Sequence, residues 1–154
     1  MTKPARYFED YRPGMVVTGG PVTVGEAEIL DFARRYDPQP MHTDPAVAEA
    51  GQFGGLIASG WHTAAIMMRL LVDQYLPAAS SLGSPGIDEL RWLRPVRPGD
   101  ELWVRVTVID ARPSRSKPDR GLLTSRVEVR VAGGEAVMTM TALNMIRRRP
   151  DGAG

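Results

Sequence analysis

The stretch "SGWHTAAIMMRLLVDQYLP", residues 59 to 77, decides how the rest of the chain must fold. Ser59 can cap a helix, and Pro77 follows its end. Trp61, Ala64, Ala65, Met68, Val72 and Tyr75 recur at helical spacing and form one apolar face. Ile66, Met67, Leu70 and Leu71 make most of the rest apolar, leaving His62, Arg69 and Asp73 as a polar stripe. A helix that is greasy on nearly every side is expected in the middle of a fold, covered by other elements.

Those other elements follow in sequence with a period of two. In "ELWVRVTVID", Leu102, Val104, Val106 and Val108 alternate with Trp103, Arg105 and Thr107. In "LLTSRVEVRV", Leu123, Val127, Val129 and Val131 alternate with Thr124, Arg126, Glu128 and Arg130. Gly133-Gly134 reads as a tight turn into "EAVMTMTALNMI". "GIDELRWLRPV", ended by "RPGD", and "GMVVTG" near the start bring the total to about five strands. Polar-out strands with one apolar helix predict an α+β fold, an antiparallel sheet wrapped around a long helix.

Upstream, "TVGEAEILDFARRYD" opens with Thr23 and Glu26 at capping-box spacing and carries Ile29, Leu30, Ala33 and Tyr36 at helical intervals. Pro38 disfavours the α conformation at Asp37, so this helix should end near Tyr36. "TDPAVAEAG" predicts a short second helix, capped by Asp44, begun by Pro45 and stopped by Gly51.

A chain of 154 residues suits one domain, residues 1–154, with loose ends expected at about 1–6 and 147–154. Arg147, Arg148 and Arg149 read as a solvated strand end. A formal charge of +1 suggests no nucleic-acid partner. There is no cysteine, which excludes disulfides, thiolate nucleophiles and cysteine-held metals, and two histidines supply few metal ligands. No metal is expected. No apolar run reaches the ~20 residues of a membrane helix. The first residues lack the apolar segment of a secretion signal, so a cytoplasmic location is expected.

Chemistry concentrates in "RYDPQPMHTDP", residues 35 to 45. Asp37 and His42 flank a turn in which Pro38 and Pro40 fix two φ angles and remove two backbone donors. An imidazole titrates near neutrality and a carboxylate can anchor or share its proton, so the two together can hold and activate a water. Ser59-Gly60, opening the long helix, offers backbone N–H groups to negative charge, and an enolate oxygen formed from a thioester would suit that position. On spacing alone, Asp37 could equally stop a helix while His42 makes a local turn bond.

"YDPQPMHTDPAVAE" followed by "FGGLIASGWHTAA" resembles the signature of the MaoC-like dehydratases, or (R)-specific enoyl-CoA hydratases. Asp37, Pro40 and His42 match the family's aspartate, proline and histidine. The resemblance extends into "GIDELRWLRPVRPGDEL" and "SRSKPDRGLL". It implies a hot-dog fold assembled as a homodimer or dimer of dimers, with acyl-CoA near the subunit interface and no separate cofactor. It also implies that Asp37 and His42 are the catalytic pair, and that the Gly60 N–H polarises the thioester carbonyl. The chain departs from the pattern in carrying Gln39 where an asparagine is usual. It also carries Met68 about where some members place a serine near the dyad.

Around that centre, Ser59, Trp61, Met67, Met68 and Trp92 are candidate substrate contacts. The methionines and tryptophans could line an acyl tunnel or simply pack the core. Arg115, Lys117 and Arg120, in the strand connection "RPSRSKPDRG", could meet coenzyme A phosphates or tip a solvated hairpin. His62 is expected on the helix surface or at a dimer seam. Two other functions use the same ligand: an acyl-CoA thioesterase, and a non-catalytic acyl-CoA-binding protein.

Overall fold

A computed structural model describes residues 5–151. Strand β1 (Val16–Thr23) leads into helix α1 (Glu26–Tyr36), two short helices α2 (Pro40–Thr43) and α3 (Pro45–Ala50), and the long helix α4 (Gly60–Gln74). Four strands follow: β2 (Gly86–Trp92), β3 (Glu101–Pro113), β4 (Arg120–Val131) and β5 (Ala136–Arg147). They form one five-stranded sheet in the order β1-β3-β4-β5-β2, and every pairing is antiparallel.

The period-two alternation sets the sheet's two faces. Leu102, Val104, Val106 and Val108 of β3, with Leu123, Val127 and Val129 of β4, are fully buried on the inner face. Each such side chain contributes up to ~1.5–3 kcal/mol on burial, an upper bound because the unfolded chain is already partly collapsed. Gly133 and Gly134, both at positive φ, make the β4–β5 turn. A side chain at Gly19 of β1 would come within 2.6 Å of Gln74, so the missing Cβ lets the end of α4 close on the sheet.

Helix α4 differs from its expected burial in a specific way. Its inner side is His62, Thr63, Met67, Leu70 and Leu71, with Tyr75 at its end. Tyr75 shares a 2.5 Å hydrogen bond with Ser125 beneath the sheet, and its carbonyl accepts from Tyr11 at 2.6 Å. The face expected to be buried is largely open instead: Trp61, Met68 and Val72 are 59%, 44% and 49% exposed. One sheet covers one side of a helix, so the second apolar side is left over.

Two further expectations are corrected. Thr23 does not cap α1, because β1 runs through Thr23 in register with Glu101; Gly25 is the N-cap, with no side-chain bond. The segment between α1 and α3 is more than a turn, since Pro40 starts the helical turn α2. Helix α3 is as expected, with Asp44 accepting from the Ala46 and Val47 N–H groups and Gly51 at its end. At the C-terminus, Arg148 and Arg149 are tied by ion pairs to Glu9 and Asp10, which holds this part of the expected loose end. Residues 1–4 and 152–154 of the expected loose ends lie outside the described residues.

Candidate active site

Asp37 stands immediately after α1, its N–H bonded to the Ala33 carbonyl at 2.9 Å. The chain then folds back on itself. The Gln39 carbonyl accepts from the His42 and Thr43 N–H groups at 2.9 and 3.1 Å, which starts α2 and swings His42 toward Asp37. His42 is buried, and its Nε2 lies 3.4 Å from Asp37 Oδ2.

The other ring nitrogen fixes the tautomer. His42 Nδ1 is 2.8 Å from the Ile57 carbonyl, an acceptor only, so Nδ1 carries hydrogen and donates. In a neutral ring Nε2 is therefore a bare lone pair facing a carboxylate oxygen. Two facing acceptors need hydrogen between them, supplied by a shared proton or by a water that donates to both.

Asp37 is held on both oxygens. Ser59 Oγ donates to Oδ2 at 2.6 Å and Gln39 Nε2 donates to Oδ1 at 2.6 Å. The Ser59 hydrogen bond lowers the carboxyl's pKa most; partial burial opposes it, and the Gln39 amide and the charge of His42 add to the lowering. The longer amide of Gln39 thus bridges the turn. Ser59 also accepts from the Trp61 N–H at 3.3 Å, so its side chain caps α4 and anchors Asp37 together. That double duty was not legible from the residue's position alone.

Asp37 and His42 open on a cavity of about 430 Å³ shared with Gly60, Trp61 and Trp92. Its remaining wall is mostly apolar, from Met41, Phe53, Ile57, Ala58 and Val96, with Thr63 from α4 and Arg94 beside the Arg94–Glu135 ion pair. The Gly60 N–H is the first of α4 and has no acceptor among the described residues, so it and the helix dipole are available to a ligand oxygen. A Cβ at Gly60 would come within 2.5 to 2.8 Å of the Trp92 indole, whose N–H donates to the Gly60 carbonyl at 2.9 Å. Only glycine lets the ring close over the start of the helix.

The remaining candidates lie elsewhere. Met67 packs in the core and Met68 faces outward, so neither lines this cavity. Ser59 is fully buried and acts on Asp37. His62, expected at the surface, is buried and stacks on Phe32 of α1 with ring centroids 4.8 Å apart, because α1 packs across the first turns of α4. Arg115 lines a separate cavity with Arg112 and Arg120 at the β3–β4 hairpin. Within one chain that hairpin and Lys117 are far from the dyad. Met138, paired with Trp92, and Met145, paired with Leu122, are seven residues apart on β5, roughly 23 Å at strand spacing. Thr63, Phe53 and Val96 were missed as cavity residues; only Thr63 gave a sequence signal, one turn after Gly60.

Among the described residues no three metal-ligating side chains converge, and no helix is long and apolar enough to cross a membrane.

Comparison with known proteins places the fold and family. A family model described as "MaoC like domain" matches residues 10–131. The chain is 32% identical over 134 residues to the uncharacterized protein YdeM of Bacillus subtilis, covering 83% of this chain and 94% of that one. A crystal structure of a MaoC-like dehydratase from Rhodospirillum rubrum superposes with a TM-score of 0.88 at 44% identity, covering 95% of this chain and 99% of that one. The (R)-hydratase PhaJ1 of Pseudomonas aeruginosa superposes with a TM-score of 0.75 at 26% identity, covering 93% and 86%. The five-stranded sheet around one long helix is the hot-dog fold. With a family model spanning most of the chain and the same architecture in its solved relatives, the chain belongs to the MaoC-like dehydratase family.

Proposed function

We propose that this chain reversibly hydrates a trans-2-enoyl-CoA to an (R)-3-hydroxyacyl-CoA, with Asp37 and His42 as its acid–base pair. One observation carries the reading. His42 Nε2, its tautomer set by Ile57, faces Asp37 Oδ2 at 3.4 Å in the cavity that also receives the Gly60 N–H.

In the hydration direction a water held by both groups adds its oxygen to the β-carbon. Its proton passes to the pair, and the electron pair of the double bond shifts toward the thioester oxygen. The Gly60 N–H and the N-terminus of α4 stabilise that oxygen as charge develops. The α-carbon then takes a proton from the pair, which restores the site. Asp37 and His42 both face the water, so the acid and base roles are assigned to the pair. Water, proton and thioester suffice for this reaction, and it calls for no further cofactor.

The open apolar face of α4 supports a homodimer, since Trp61, Met68 and Val72 would be covered by a second copy. Arg115 and Lys117 reach coenzyme A phosphates only if the partner brings its β3–β4 hairpin to the cavity. The family's naming as dehydratases supports hydro-lyase chemistry over thioester hydrolysis. The test is crotonyl-CoA. Loss of the conjugated enoyl absorbance without release of free thiol is expected; free thiol would mark a thioesterase, and binding without turnover a non-catalytic acyl-CoA-binding protein.

A further inference from the structure

Thr63 is 3% exposed, yet its side chain lines the cavity. A helical threonine ordinarily bonds its hydroxyl back to a carbonyl three or four residues earlier. Here both carbonyls are taken. The Ser59 carbonyl accepts from the His62 and Thr63 N–H groups at 3.0 and 3.1 Å. The Gly60 carbonyl accepts from the Trp92 indole at 2.9 Å as well as from its helical partner one turn on. Two lone pairs serve two donors at each oxygen, and the Thr63 hydroxyl has no hydrogen-bond partner among the described residues.

The residue is buried but its hydroxyl is not sealed off, so its hydrogen bond goes to whatever occupies the cavity. Its position says what. Helical side chains lean toward the N-terminus, so a residue three positions on covers the preceding turn. Thr63 therefore stands over the turn that begins at Gly60, whose own N–H is also free. Most of the rest of the wall is apolar; of the other polar groups, Asp37 is bonded to Gln39 and Ser59, His42 faces Asp37, and Arg94 pairs with Glu135.

We infer that the Thr63 hydroxyl donates to the substrate's thioester oxygen as a second donor beside the Gly60 N–H. This rests on the cavity being an acyl-thioester site. The Gly60–Thr63 pair then stabilises the developing enolate from two directions, and Thr63 is a catalytic residue in the sense of touching the reacting group.

Two measurements test it. In turnover of crotonyl-CoA, Thr63→Val should lower kcat by about 10²-fold or more with little change in KM, as removal of one oxyanion donor does, while Thr63→Ser restores most of it. The melting temperature of Thr63→Val should stay near that of the parent, because no bond within the protein is lost. In the second, butyryl-CoA labelled with ¹³C at the thioester carbonyl, which cannot be hydrated, is bound and its carbonyl band read by infrared difference spectroscopy. The parent and Thr63→Ser should show a band moved to lower frequency, and Thr63→Val a band moved back up. An unchanged band in Thr63→Val overturns the assignment, as does a loss expressed only in KM; either result puts the hydroxyl on a water or on the acyl chain. The band can be read without turnover. An inert parent enzyme therefore counts against the hydratase reading alone, while the band still decides Thr63.

Discussion

Ser59 Oγ and Asp37 Oδ2 are 2.6 Å apart across 22 positions of sequence, so the cap of the long helix is also the anchor of the carboxylate. Removing that hydroxyl in Ser59→Ala withdraws the strongest influence lowering the Asp37 pKa. A depressed carboxyl stabilises the fold above its unfolded value and loses that contribution as pH falls through the folded one. Ser59→Ala should therefore lose stability by ~1–3 kcal/mol, from the cap and the charged hydrogen bond together. The acid limb of its pH–rate profile should also move toward neutral. A profile with the parent's acid limb would show that Ser59 does not set the state of Asp37.

Asp37→Ala and His42→Ala should each lower kcat for crotonyl-CoA hydration by ~10²–10⁴-fold. The double variant should be little worse than either single one, because the two act as a unit. Near-full activity in both single variants would remove the dyad from the mechanism.

At Gly60 a methyl group meets the Trp92 ring at 2.5 Å. Gly60→Ala should cost ~1–3 kcal/mol of stability through overpacking. It should also change the Trp92 fluorescence, best read in a background where Trp61 and Trp103 are phenylalanine. Unaltered emission and full activity would show that the ring is free to move aside.

Burial lowers the pKa of His62 below its usual 6.5, with Glu28 pulling the other way, and its Nδ1 has no hydrogen-bond partner among the described residues. The fold therefore favours the neutral ring, and as pH drops through 6.5 the unfolded chain takes up the proton first. Stability should fall as pH drops through 6.5 and below, and His62→Leu should flatten that fall in melting temperature. An identical slope in parent and variant would assign the loss to other groups.

The open face of α4 yields a further test. Met68→Glu with Val72→Glu places two charges where a second copy should pack, so sedimentation should show a dimer for the parent and a monomer for the double variant. A parent that sediments as a monomer would leave this apolar face without its proposed occupant.

Much of this was legible in the sequence because it is periodic or rigid. The alternating valines of β3 and β4 specify the sheet's buried face, and Asp44-Pro45 specifies the start of α3. Asp37 and His42 were legible as a pair through the family resemblance, because spacing alone also fits a helix stop and a local turn bond. What stayed hidden depends on elements distant in sequence. The apolar residues surround α4, so nothing local shows which side the sheet covers. His62 is buried only because Phe32 of α1 crosses it, and Ser59 finds Asp37 only after the short helices fold back. Arg115 and Lys117 resembled ligand-binding residues by type, but strand lengths place them at the other end of the sheet.

The cavity draws its wall from three stretches, one of them the approach to α4 and its first turn, which supply Phe53, Ile57, Gly60 and Thr63. Asp37 and His42 ride on the segment after α1, whereas Trp92, Leu93, Pro95 and Val96 come from the end of β2 and the connection to β3. On the proposed function, reactivity and selectivity would be carried by separable stretches of polypeptide. Exchanging the few residues after β2 would then reshape the room for the proposed acyl group while leaving the proposed Asp37–His42 pair unchanged.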